Sequence, residues 1–422
     1  MNKEITLIPE VRFPEFINDG DWEKSTIGEI GSFYYGKSAP KWSLSDDALT
    51  PCVRYGELYT KFGAIISKIY SHTNVDSNNL RFSKGGEILI PRVGEIPQDF
   101  AKNVCFLPFP NIAIGEMISV FETAEHPIFY TYYFRTLIKQ FSEVVEGQNV
   151  KNLYYINLKP ISIGKPSYIE QKKIADCLSS LDDVIEANDI KLKLLNDHKK
   201  GLLQNLFPKE GKTVPEFRFP EFKSDKEWIL KPLKEVFRIF QGFAFSSDDS
   251  VQAGTRWLKI ADVGIQQMKS DTESFLPKDF VSIYEKFLVK KGEYVLALTR
   301  PILNGKLKIA KVDDVYHNSL LNQRVGKIVT SNSRSFIYYL LQTYSMIDLI
   351  SRNIAGNEPP NLSFQQIENS LILVPEKIIE QEKIASCIAS LDELILEQSK
   401  RIEQLGQYKK GLMQSLFPKM ND

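Results

Sequence analysis

The sequence predicts an α+β protein: two mixed α/β domains related by a pseudo-twofold axis and separated by two long antiparallel coiled-coil helices. Three observations carry this expectation. A unit of about 210 residues is present twice, each copy closes on a heptad-patterned stretch that stops at Phe-Pro, and the stretches between read as short strands with many turns.

With 422 residues, 53 Lys+Arg against 53 Asp+Glu and 43% hydrophobic residues, the chain has a globular composition and no net charge. Simple disorder is excluded, and a nonspecific polyanion coat is disfavoured, although a neutral total can hide a local basic face. The first ten residues hold no apolar core of a leader, and no apolar run approaches the ~20 residues of a membrane span. The chain therefore reads as cytoplasmic, with no membrane partner. Cys52, Cys105, Cys177 and Cys387 form no C-x-x-C pair and no zinc spacing with histidine, so they are expected to be reduced and buried. Neither a metal nor a cofactor is expected.

The repeat orders everything else. Residues 171–209, QKKIADCLSSLDDVIEANDIKLKLLNDHKKGLLQNLFPK, return at 381–419 as QEKIASCIASLDELILEQSKRIEQLGQYKKGLMQSLFPK, about half the positions being identical. Upstream, Pro9 to Phe16 returns as Pro215 to Phe222, Trp22 answers Trp228 and Gly36 answers Gly242. Between them only a skeleton matches: Gly86-Glu87 with Gly292-Glu293, Tyr132-Tyr133 with Tyr338-Tyr339, Asn152-Leu153 with Asn361-Leu362. One scaffold with two divergent surfaces suits a protein that makes one kind of contact with two different targets.

In the first helical copy Ile174, Leu178, Leu181, Ile185, Leu192, Leu195, Leu202 and Leu206 fall in 4-3 spacing, with Asn188 and Lys199 at the missing steps. The second copy repeats the pattern from Ile384 to Leu416, with Gln398 and Lys409 at the same steps. A helix of about 33 residues is about 50 Å long, and proline stops it. Antiparallel pairing puts Asn188 and Gln398 near the middle, where a polar pair fixes register.

The stretches before each helix hold strand-like runs at Glu87 to Ile90, Tyr294 to Leu298 and Leu371 to Val374, interrupted by helical stretches at Pro127 to Phe141 and Ser335 to Ser351. Lys286, Lys290, Lys291, Arg300, Lys306, Lys308 and Lys311 stand against Glu293 alone between 286 and 311, a candidate phosphate-binding stretch. The corresponding stretch 80–105 is only weakly basic. Aromatic and amide residues lie among the charges: Tyr34, Tyr35, Lys37 and Trp42; Gln148, Asn149, Lys151 and Asn152; Asn322, Gln323 and Arg324. Arg, Asn and Gln make bidentate contacts with guanine and adenine edges.

Two motifs are refused. Gly31 to Ser38 fits G-x-x-x-x-G-K-[ST], but three aromatics occupy the positions that must wrap a phosphate, and Pro40 stands where a helix should be running. Asn357-Glu358-Pro359-Pro360 has the wrong order for the N-P-P-Y motif of adenine methyltransferases, and no glycine-rich cofactor loop accompanies it.

The two copies of E-Q-x-K-I-A-x-C-(L/I)-x-S-L-D, from Glu170 and Glu380, the two K-K-G-L-(L/M)-Q-x-L-F-P ends, the paired P-E-(V/F)-R-F-P-E-F segments and the Asn-Leu elements together resemble one family. It is the DNA-specificity subunits of bacterial type I restriction-modification systems, and the resemblance covers nearly the whole chain. It implies two target-recognition domains, residues 1–167 and 210–377, each reading half of an asymmetric bipartite DNA sequence. Conserved spacer helices, residues 168–209 and 378–422, hold them apart. A rod of about 50 Å against about 34 Å per DNA turn separates readers by more than one turn.

The resemblance further implies a non-catalytic subunit whose partners are double-stranded DNA, two modification subunits carrying the adenine-N6 chemistry, and a restriction subunit. The expected DNA-facing residues are Lys37, Arg54, Arg92, Gln148, Asn149, Lys151 and Asn152 in the first domain. In the second they are Lys259, Lys290, Lys291, Arg300, Lys306, Asn322, Gln323 and Arg324. Partner docking is expected at Glu170, Gln171, Lys173, Ile174, Glu380, Gln381, Lys383 and Ile384. A standalone bipartite DNA-binding adaptor is the alternative.

Overall fold

The computed structural model describes residues 7–37, 39–269, 273–354 and 359–419. The chain forms two units, one of residues 1–190 with 400–422 and one of residues 191–399.

In the first unit an antiparallel sheet runs Gly31–Tyr35, Ile118–Thr123, Glu87–Pro91, Cys105–Leu107. A second sheet runs Ser71–Thr73, Thr50–Val53, Pro110–Ile114, Phe82–Lys84, its central strands parallel with Cys52 opposite Ala113. Glu23–Thr26 pairs separately with Ser162–Lys165. The strand Glu87–Pro91 is buried along its whole length, which is why Ile88 to Pro91 are apolar without alternation, while the Glu87 carboxylate accepts from the Lys84 and Gly85 N–H groups.

The second unit has the same plan. Its antiparallel sheet runs Arg238–Gln241, Val325–Val329, Tyr294–Ala297, Ile309–Lys311. The mixed sheet runs Phe275–Leu276, Thr255–Leu258, Ser319–Leu321, Leu288–Val289, again with parallel central strands, and Ile229–Pro232 pairs with Leu371–Val374.

Gly36 and Gly242 serve a backbone crossing. A Cβ on Gly36 would meet the Gly115 carbonyl oxygen at 2.1 Å, and one on Gly242 the Leu321 oxygen at 2.2 Å. The residues 31–35 that mimic a phosphate loop are a β-strand, and Ser38 lies outside the described residues.

Each expected mid-domain helix is broken in two. Pro127–Thr136 is followed by Ile138–Glu143, and Arg334–Leu340 by Tyr344–Ile354. Both breaks carry a threonine whose hydroxyl turns back onto the carbonyl three residues earlier, Thr136 onto Tyr133 and Thr343 onto Leu340, in competition with helix continuation.

The long helices are Tyr168–Asn205 and Ile378–Ser415, 38 residues each and about 57 Å at 1.5 Å per residue. Each begins in one unit and finishes in the other. In the first unit Ile174 and Leu178 share a core with Leu412, Leu416 and Phe417, and Asp182 pairs with Lys409, so the two segments run antiparallel. In the second unit Leu202, Leu206 and Phe207 share a core with Ile384 and Ile388, and Lys199 pairs with Asp392. The seam residues Leu181, Ile185, Leu192 and Leu195 are only half-buried.

Phe417 therefore enters the first unit's aromatic core, stacking on Tyr133 at 5.0 Å and meeting Trp22 edge-on. Phe207 does the same in the second, against Phe336 and Trp228. Cys52 and Cys105 are buried, their thiols pushed up by burial to about 11 and about 12. Contrary to expectation Cys177 and Cys387 are only half-buried, because each flanks the buried stripe of its helix.

Candidate nucleic-acid interface

The E-Q pairs expected on a docking surface are inside the protein. Glu170 is 1% exposed and takes both a two-point contact from Arg12, at 2.7 Å each, and the indole N–H of Trp22. Glu380 does the same with Arg218 and Trp228. The hydrogen bond that each arginine donates to its carboxylate raises that arginine above the ordinary guanidinium value. Gln171 accepts from the His126 backbone N–H and donates to Glu125 and the Pro166 carbonyl; Gln381 repeats this with Ser333, Asn332 and Pro375.

With Ile174 and Ile384 also buried, six of the eight expected docking residues have their side chains inside the protein. Their polarity is spent on locking the helix start to the chain's lead-in segment. Lys173 and Lys383 remain at the surface, paired with Glu15 and Glu221. Beside them Ile169 and Ile379 stand 72% and 69% exposed.

The expected DNA-facing residues fall in three places. The carboxyl ends of the parallel strands deliver one group. Lys37 and Arg54 flank the end of the strand Pro110–Ile114: the Lys37 N–H bonds to the Ile114 carbonyl, and the Gly115 N–H bonds to Val53. In the second unit Lys259, Asn322, Gln323 and Arg324 gather at the same place, where the Asn322 N–H bonds to the Leu258 carbonyl. Arg54 and Lys259 each start a helical turn capped through the backbone, by Glu57 and Asp262, and the Lys259 ammonium lies 3.8 Å from the Trp257 ring centroid.

The second group surrounds the Asn-Leu element of the first unit. Lys151 and Asn152 pair with Gly94 and Val93, and the Leu153 N–H bonds to the Arg92 carbonyl. Gln148 and Asn149 are exposed in the turn before them, which Gly147 makes at φ 100°. Arg92 lies over the ring of Tyr35, at 4.4 Å, and of Tyr154, at 5.4 Å. Burial raises the Tyr35 phenol above its ordinary value, against the opposing pull of Arg92.

The third group is the basic stretch 286–311, which the fold divides. Arg300 and Arg324 line an open pocket of about 360 Å³ with Lys308 and Thr299. Burial, with Lys269 nearby, lowers the Lys308 ammonium. Lys290 lines a different pocket with Lys286 and Lys327, and its ammonium donates to Asn318. Lys291 pairs with Asp314, and Lys306 sits beside the turn of the hairpin Ile302–Leu303 and Lys306–Leu307, where Asn304 and Gly305 take positive φ. One linear charge cluster is thus several separate contacts.

Sequence reasoning missed Tyr154 and Arg81. The Arg81 guanidinium lies 5.3 Å from the Tyr34 ring and donates to the Tyr35 carbonyl. The available signal was Tyr154 directly following Asn152-Leu153. Trp42, singled out among the charges, stands 84% exposed. Asn357 and Glu358 lie outside the described residues. Among the described residues no helix is long and apolar enough to cross a membrane.

Known proteins share this fold. The model of the type I restriction modification DNA specificity domain matches the chain twice, over residues 19–196 and 225–407. The chain is 29% identical to the Type I restriction enzyme MjaVIII specificity subunit of Methanocaldococcus jannaschii, across 96% of this chain and 93% of that one. It is 25% identical to the MjaIX specificity subunit of the same organism, across 95% and 92%. Among solved structures, the type I restriction-modification S subunit from M. genitalium has the same fold, with a TM-score of 0.62 at 15% identity over 98% of this chain and 100% of that one. The chain belongs to the type I restriction modification DNA specificity family.

Proposed function

We propose that this chain is the recognition subunit through which a type I system reads an asymmetric, bipartite DNA sequence, residues 1–167 reading one half and residues 210–377 the other. It supplies no catalysis: adenine-N6 methylation belongs to two modification subunits, and translocation and cleavage belong to a restriction subunit. The carrying observation is that internal contacts repeat while surface chemistry does not. The Arg12–Glu170–Trp22 and Arg218–Glu380–Trp228 locks are the same. Around the equivalent Asn-Leu elements, by contrast, Arg92 stands where the second unit has the buried Leu298: the Leu153 N–H bonds to the Arg92 carbonyl, the Leu362 N–H to that of Leu298.

The residues proposed to face DNA are those of the three groups above, with Trp42 and Tyr154 added. Docking of the modification subunits is proposed on the exposed face beside Lys173 and Lys383, where Ile169 and Ile379 offer the same apolar contact twice, as two copies of one partner require. Spacer helices of about 57 Å set the unread gap.

The test is long-read mapping of N6-methyladenine in cells carrying this chain with and without the modification subunit. A split, asymmetric motif present only with both supports the reading. A stable complex that leaves no motif opposes it. Exchanging residues 1–167 for those of another specificity subunit should change one half-site alone; a change in both sinks the two-reader scheme.

A further inference from the structure

Among the described residues the Arg92 side chain meets aromatic rings and no hydrogen-bond acceptor. Its Nε is buried with no hydrogen-bond partner, and its guanidinium meets two tyrosine rings, those of Tyr35 and Tyr154. Arginine carries five N–H donors in a rigid fork, and leaving a buried donor unmade is costly, so such a residue calls for an explanation. The backbone on both sides is fixed as well: the Arg92 N–H bonds to the Met117 carbonyl, and the Arg92 carbonyl accepts from Leu153. Packing and backbone together position a planar cation in advance, and burial of Nε leaves the two terminal amino groups as the donors available to a ligand.

We infer that Arg92 is the guanine-reading side chain of the first unit, its terminal amino groups donating to O6 and N7 of one guanine in the first half-site. A planar, two-point donor fits that edge; it fits a phosphate as well, and the experiment below separates the two. The adjoining Asn152 and Lys151 lie on the strand paired beside it. Both units cannot read alike here, because Leu298 takes the place of Arg92. The second unit instead presents Arg300 and Arg324, where the first has Gly94 and Met117: Val93 pairs with Asn152 as Thr299 bridges to Asn361, and Met117 accepts from Arg92 as Arg324 accepts from Leu298.

This inference rests on the bipartite reading above, and one experiment separates the two. The full complex with its modification subunits is titrated with its mapped target, each guanine replaced in turn by 7-deazaguanine, which lacks the N7 acceptor. Wild type should lose about tenfold or more in affinity at one guanine of the first half-site. Arg92→Leu should bind intact and modified DNA equally, accept other bases at that position in the methylation map, and keep the second half-site unchanged. Arg92→Lys retains the charge without the fork and should also lose discrimination at that base, which keeps the test decisive should Arg92→Leu fold poorly. A uniform loss across all sequences, with the salt dependence shallower by about one phosphate contact, would mark Arg92 as a phosphate contact and overturn the inference. Unchanged discrimination in both variants would also overturn it. If wild type itself shows no split motif, the parent reading fails instead.

Discussion

Lys199 Nζ lies 2.6 Å from Asp392 Oδ1, joining the far end of the first long helix to the S-L-D turn of the second. Tyr339 donates to the same carboxylate at 2.8 Å. In the first unit Lys409 and Tyr132 repeat both contacts on Asp182. Two of the four polar steps of the heptad, Lys199 and Lys409, are thus lysines because each has an aspartate waiting on the opposing segment.

Removing one member of that pair should cost more than removing both. Lys199 is 8% exposed and Asp392 29%, so Lys199→Met should destabilise the second unit by about 2 to 3 kcal/mol, below the ~3–5 kcal/mol of a fully buried pair. Adding Asp392→Asn should recover most of the loss. A double-mutant cycle in urea reads the coupling, and strict additivity of the two changes would contradict it.

Lys409 makes stability depend on pH in a defined direction. Burial lowers its ammonium below the ordinary 10.5, and Asp182 restores only part of the difference. The unfolded chain then binds more protons than the folded one between the folded value and 10.5, so stability rises with pH across that window. Lys409→Met should remove this contribution. The comparison is the difference in urea midpoint between wild type and variant over roughly pH 8 to 10.5, and parallel curves would refute it.

Arg12→Lys should fail as a conservative change. Glu170 uses both oxygens on the guanidinium, and a lysine offers a point charge without the two-point fork. A loss of about 2 to 4 kcal/mol is expected, since a 1% exposed carboxylate is left partly unpaired. Arg218→Lys should do the same to the second unit. Thermal unfolding in which either variant matches wild type would remove the lock from the account.

Gly36→Ala and Gly242→Ala should each cost about 3 kcal/mol, the upper end of overpacking, because the new Cβ meets a carbonyl oxygen of the crossing strand. Gly201→Ala meets nothing within 4 Å and lies within a helix, so it should stabilise by about 0.5–1 kcal/mol. Denaturant midpoints of the three variants check the opposite signs.

The repeat and the two long helices were legible because they are periodic, and periodicity depends only on which residues share a face. Glu87 to Ile90 and Leu371 to Val374 were legible as short apolar runs bounded by turns, and both form strands. The pairing of Tyr132-Tyr133 with Tyr338-Tyr339 slipped by one residue. Tyr132 and Tyr339 are the equivalents, since each bonds to the aspartate of S-L-D, and identity of neighbouring tyrosines cannot register that contact.

What the sequence by itself determined was the duplicated plan, its helical rods and the family; tertiary structure alone decided which polar residues are surface and which are interior. Glu170 and Gln171 look like surface residues because isolated charge and amide belong in water. They become core residues because Arg12, Trp22 and the backbone around residue 126, all more than 40 positions away in the chain, converge on them. The same holds for the basic stretch 286–311, contiguous in sequence and parted by the hairpin at Asn304. It holds too for Arg92, whose buried Nε meets no acceptor among the described residues, a property of the space around it. Burial cost and hydrogen-bond satisfaction are paid between residues distant in sequence, and only the folded chain brings those residues together.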